Sequence, residues 1–70
     1  MRTINHLAAQ VAGRVKNDYS LLLTNMPRRF FCLTYEQESY VWQKVLDAYD
    51  RGTHDPYILS KIACDAVEDC

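Results

Sequence analysis

The chain has no long apolar run: its longest aliphatic stretch, Leu21-Leu22-Leu23, falls far short of the roughly 20 apolar residues a membrane-crossing helix needs. A transmembrane segment is therefore not expected. Glycine and proline number two each and no segment is of low complexity, while 49% of the residues are hydrophobic. Such a chain packs a core and does not stay disordered. Cysteine is scarce and odd in number: Cys32, Cys64 and Cys70 form no C-x-x-C pair. Disulfide scaffolds usually carry an even set and zinc sites cluster their ligands, so three reduced thiols in a cytoplasmic protein are expected. Arg2 is followed by a stretch interrupted by Asn5, His6, Gln10 and Arg14, which has no apolar signal core. The first seventeen residues also lack the serines of a mitochondrial presequence.

Reaction motifs are missing as well. There is no Gly-rich phosphate loop, no H-E-x-x-H and no G-x-S-x-G, and both glycines are isolated. At 70 residues and 8.2 kDa, residues 1–70 form one small domain. A core of that size rarely supplies a catalytic cleft, and it usually gains stability from a partner or from self-association.

What is present is helical periodicity. At about 100° per residue, Ile4, Leu7, Ala8, Val11, Val15, Tyr19, Leu22 and Met26 share an arc of about 120°, so residues 4–25 read as one amphipathic helix. Thr3 is its N-cap and Asn25, before Met26-Pro27, an αL stop. Gly13 and Asp18 oppose the reading, Asp18 because it lies inside the apolar stripe. The alternative is a shorter first helix ending near Asn17 in an α+β chain, followed by a β-hairpin over 19–33 that pairs Tyr19–Leu23 with Arg29–Leu33. Thr34 and Gln37 form a capping box that opens a second helix over 35–51, with Tyr35, Val41, Trp42, Val45, Leu46, Ala48 and Tyr49 on its apolar face and Gly52 closing it. Asp55-Pro56 starts a third helix over 56–68, bearing Ile58, Leu59, Ile62, Ala63, Ala66 and Val67. The expected class is all-α: a long amino-terminal helix, an extended linker, and a carboxy-terminal helical hairpin.

Charge divides unevenly. Residues 1–33 hold five bases against one acid, a balance of +4, and residues 34–70 hold three bases against eight acids, a balance of −5. The halves suit one another within one copy or across two.

The candidate contact residues follow. Arg28-Arg29-Phe30-Phe31 pairs guanidinium groups with aromatic faces, as single-strand nucleic-acid binders do, although the two phenylalanines also suit the core. Tyr40 and Tyr57 fall outside their helices' apolar arcs and are candidates for a contact surface. The third helix is a poor groove reader, because Lys61 is outweighed by Asp65, Glu68 and Asp69. Asp47, Asp50, His54 and Asp55 bring carboxylates and an imidazole together with nothing to fix their geometry. No cofactor and no metal are expected. The apolar stripes exceed what three helices bury alone, so a homodimer is expected. The function expected is a non-catalytic protein–protein interaction module, an inhibitor, adaptor or regulator that contacts another protein through Arg28, Arg29, Phe30, Phe31, Tyr40 and Tyr57. By size class alone this resembles the small modulators that phages encode. The alternative is a dimeric nucleic-acid-binding transcriptional regulator using Arg28 and Arg29.

Overall fold

Asn5 sets the first turn of the computed structural model, which describes residues 5–70. Its Oδ1 accepts from the Leu7 amide at 2.8 Å and so caps helix α1 (His6–Val15). The proposed cap Thr3 lies outside the described residues. The Asn5 Nδ2 donates to Ser39 Oγ at 3.0 Å and lies 3.5 Å from the Tyr35 carbonyl. One buried amide thus caps a helix and joins it to another.

The single helix expected over 4–25 is two helices. The chain turns at Lys16 (φ 53, ψ −115) and resumes as α2 (Asp18–Thr24). A continuous helix would carry Asp18 into the apolar stripe, and the turn removes that conflict. After the turn Asp18 heads α2, where a carboxylate suits the exposed amides of a helix start. The turn also keeps Val11, Val15, Leu22 and Met26 all in the core. Asn25 ends α2 in the right-handed region (φ −86, ψ −4), not as the αL stop its position before Pro27 implies.

The extended linker and the hairpin alternative are both corrected. Residues Arg28–Cys32 form a short 3₁₀ segment, and no strand occurs among the described residues. Pro27 fixes its own φ, its carbonyl accepts from the Phe30 amide at 3.0 Å, and the Phe30 carbonyl accepts from Leu33 at 3.2 Å. A tight turn here lets Phe30 enter the core.

The other boundaries follow local chemistry. Thr34 Oγ1 accepts from the Gln37 amide at 3.2 Å and Gln37 Oε1 from the Thr34 amide at 3.0 Å, opening α3 (Tyr35–Asp50). Gly52 takes φ +106 just past its end, and the Thr53 amide returns to the Ala48 carbonyl at 2.9 Å. Asp55 then accepts from the Tyr57 amide at 2.8 Å and Pro56 occupies the first turn of α4 (Pro56–Glu68).

The helices α3 and α4 form an antiparallel hairpin. Helix α1 lies along α3 in the same direction, with Asn5 beside Ser39 at one end and Arg14 beside Asp50 at the other. Helix α2 packs on α1 and α4, and Asn25 meets Ser60 and Cys64 across that contact. One core runs through all of them: Trp42 at its centre, with Val11, Leu22, Phe30, Val41, Val45, Leu59 and Val67 around it. The apolar stripes that pointed to a homodimer are largely covered by the chain itself, because the turn at Lys16 folds two short helices onto the hairpin. Two stripe positions do not enter: Tyr35 is 60% exposed and Ile58 50%. Both sit in the first turn of their helices.

Candidate functional site

The four consecutive residues Arg28-Arg29-Phe30-Phe31 are divided by the 3₁₀ turn. Phe30 is buried and meets Trp42 edge-on, ring centroids 5.5 Å apart. Arg29 donates from Nη2 to the Cys70 main-chain oxygen at 2.6 Å, tying the segment to the end of α4. Phe31 packs its edge on Phe30 at 5.2 Å and remains 50% exposed. Arg28 is exposed and makes no ion pair or hydrogen bond with another described residue. One cation and one ring of the four are thus free for contact.

Tyr40 is 36% exposed, and Lys44 Nζ stands 5.3 Å from its ring centroid. Both line a groove between α3 and α4 with Ile62, Asp65, Ala66 and Asp69, and its volume is about 230 Å³. That is below the roughly 300–1,000 Å³ typical of small-molecule pockets and suits one or two side chains. Tyr57 is 70% exposed in the first turn of α4 and is not part of this groove, nor are the four linker residues. The six sequence candidates therefore do not converge on one site.

The groove residues share a helical register that the sequence displays. Tyr40, Lys44, Asp47 and Arg51 recur at i, i+4, i+7 and i+11, as do Ile58, Ile62, Asp65 and Asp69. Each set runs along the side of its helix turned away from the buried face, about 160° from that face's centre on α3 and about 130° on α4. The apolar residues of α4 cover about half its wheel, with Val67 at one edge and Ile58 and Ile62 at the other. Only the position of α3 makes that edge a groove wall.

The Asp47, Asp50, His54 and Asp55 cluster is occupied by structural partners. Asp47 accepts from Gln43 Nε2 at 3.0 Å, Asp50 pairs with Arg14 Nε at 3.3 Å, and Asp55 caps α4. The His54 ring lies on Tyr49, centroids 4.3 Å apart, with Nε2 3.2 Å from the Tyr49 carbonyl. Among the described residues no group of three or more His, Cys, Asp or Glu is placed to hold a metal. All three cysteines are free. Burial pushes the Cys64 thiol above its ordinary range, with Asp65 and Glu68 adding to the effect, and Sγ donates to the Asn25 carbonyl at 3.4 Å.

Comparison with protein-family models, with curated proteins and with solved structures finds no match for this chain. No helix among the described residues is long and apolar enough to cross a membrane.

Proposed function

We propose that this chain is a non-catalytic interaction module, a small inhibitor, adaptor or regulator that acts in the cytoplasm by docking on another protein. The observation carrying the reading is what remains outside once the core is closed: Phe31, Tyr35, Tyr40, Tyr57 and Ile58 all stay exposed. Tyrosine and phenylalanine on a surface supply large contact area at little entropic cost, which is why such residues dominate interface hot spots. Tyr57 and Ile58, adjacent in the first turn of α4, are the anchor for the foreign partner, and the chain is taken to pair with itself elsewhere.

A photo-reactive phenylalanine derivative placed at position 57 tests this in cells, with the same group at Gln10 as control. One dominant cross-linked protein from position 57, bound again by the purified chain and lost with Tyr57→Ala, supports docking. Equal labelling from both positions overturns it.

The second reading, a nucleic-acid-binding regulator, is favoured by one feature: Arg28 and Phe31 are both free on the 3₁₀ segment. Phe30 is buried and Arg29 engaged, which leaves that reading one ring and one cation on this segment. Anisotropy of labelled single strands at low salt, weakened by Arg28→Ala and by added salt, tests it.

A further inference from the structure

We infer that the groove between α3 and α4 is a self-association site, and that it receives Arg28 and Phe31 of a second copy of this chain. The inference deepens the interaction-module reading by naming which surface is used on the chain itself.

The groove and the segment are complementary in chemistry. Asp65 and Asp69 stand on the α4 wall with Glu68 beside them, and all three are exposed. Lys44 is the one base on the lining, and it lies toward the opposite wall, over the Tyr40 ring. A guanidinium entering along the α4 wall meets two carboxylates, which it binds as a planar fork. The floor offers Ile62, Ala66 and the Tyr40 ring to an aromatic side chain.

The segment offers the matching pair. Arg28 has no partner among the described residues and Phe31 is half exposed, while Phe30 and Arg29 hold the 3₁₀ turn rigidly on the core. A segment ordered in advance loses little entropy on docking. The same complementarity runs through the whole chain, +4 in residues 1–33 and −5 in residues 34–70. Arg29 fastens the segment to Cys70, which follows Asp69 of the groove lining in the chain, so the segment lies at the end of α4 that carries Asp69. Two copies related by a two-fold axis then exchange the contact twice, each giving its segment and each receiving one.

Light scattering over a range of concentration at low and high salt reads this directly. The mass is expected to rise from 8.2 kDa toward twice that value with concentration, and the dissociation constant to weaken with salt. Arg28→Glu alone, or Asp65→Arg with Asp69→Arg, weakens the dimer about tenfold or more, while circular dichroism stays unchanged because all three positions are exposed. Mixing the two variants restores a dimer. The introduced glutamate of one chain then meets the introduced arginines of the other, whose own Arg28 meets the unaltered Asp65 and Asp69 of the first, so both exchanged contacts are attractive. A monomer at all concentrations, or a dimer indifferent to these reversals, overturns the site. The Tyr57 cross-link is read separately: if it persists in a monomeric chain, docking on a foreign protein stands and self-association falls.

Discussion

Phe30 meets Trp42 edge to face, ring planes 83° apart and centroids 5.5 Å apart, and this contact fastens the 3₁₀ segment to the middle of α3. Tyr19 lies against the same indole at 5.6 Å, so Trp42 joins α2, the segment and α3 in one aromatic cluster. Phe30→Ala opens a cavity beside a side chain that is itself buried, and is expected to lower unfolding free energy by about 3–5 kcal/mol. Phe31→Ala, at a half-exposed ring, is expected to cost less than about 1.5 kcal/mol. Urea unfolding followed by Trp42 fluorescence measures both. Equal losses at the two positions contradict the division of roles between them.

Lys16 holds φ 53 and ψ −115, a region that costs a side chain with a Cβ about 1–3 kcal/mol. Lys16→Gly releases that strain and gives back about 0.5–1 kcal/mol through the greater freedom of glycine in the unfolded chain. A net stabilisation of about 1 kcal/mol is expected by urea titration, with Lys16→Val destabilising instead. Lower stability for Lys16→Gly contradicts a strained backbone at position 16.

What the sequence makes legible here is chemistry that is complete within a few residues. Thr34 with Gln37, Gly52, and Asp55 with Pro56 mark the ends of α3 and α4 because each cap is satisfied by its own neighbours. The turn at Lys16 carries no such mark. Neither glycine nor proline stands at the turn itself, and the apolar residues on both sides still fit one wheel, so the conflict shows only in Asp18 within the stripe and in Gly13 three residues before the turn. The groove was illegible for a different reason. Ile62 and Asp65 are ordinary flank residues until α3 brings Tyr40 and Lys44 beside them. Likewise no local pattern distinguishes Phe30 from Phe31; the buried ring is the one that meets Trp42, twelve residues on in the chain.

Asn5 tests how far one side chain can join two helices. Asn5→Ala removes both the cap of α1 and the bond to Ser39, for an expected loss of about 2–3 kcal/mol. Asn5→Asp keeps an oxygen for the Leu7 amide but no longer donates to Ser39 or to the Tyr35 carbonyl, and it places a charge in a buried position. Aspartate is ordinarily as good a cap as asparagine, so destabilisation by Asn5→Asp reports the lost interhelical bond together with the burial of a charge and not the cap. A cycle with Ser39→Ala gives its coupling, expected at about 0.5–1.5 kcal/mol.

The thiols separate by reactivity in a way that fixes the environment of α4. Cys64 is raised first by burial and then by the carboxylates of Asp65 and Glu68, whereas Cys32 is exposed on the 3₁₀ segment. The reactive species is the thiolate, so at mildly alkaline pH Cys32 is expected to alkylate well before Cys64, as followed by mass spectrometry of the folded chain. Asp65→Asn with Glu68→Gln removes the lesser of the two causes, so Cys64 becomes faster but stays behind Cys32. The sign for stability follows from the same shift. A thiol whose value is raised by folding holds its proton more tightly in the native state, so its contribution is complete below the unfolded thiol's ordinary value. It is lost as pH rises through the folded one. The wild type is therefore expected to lose stability in that alkaline window more steeply than Cys64→Ser, whose hydroxyl does not titrate there. Parallel pH profiles for the two chains would show that Cys64 is not shifted by folding.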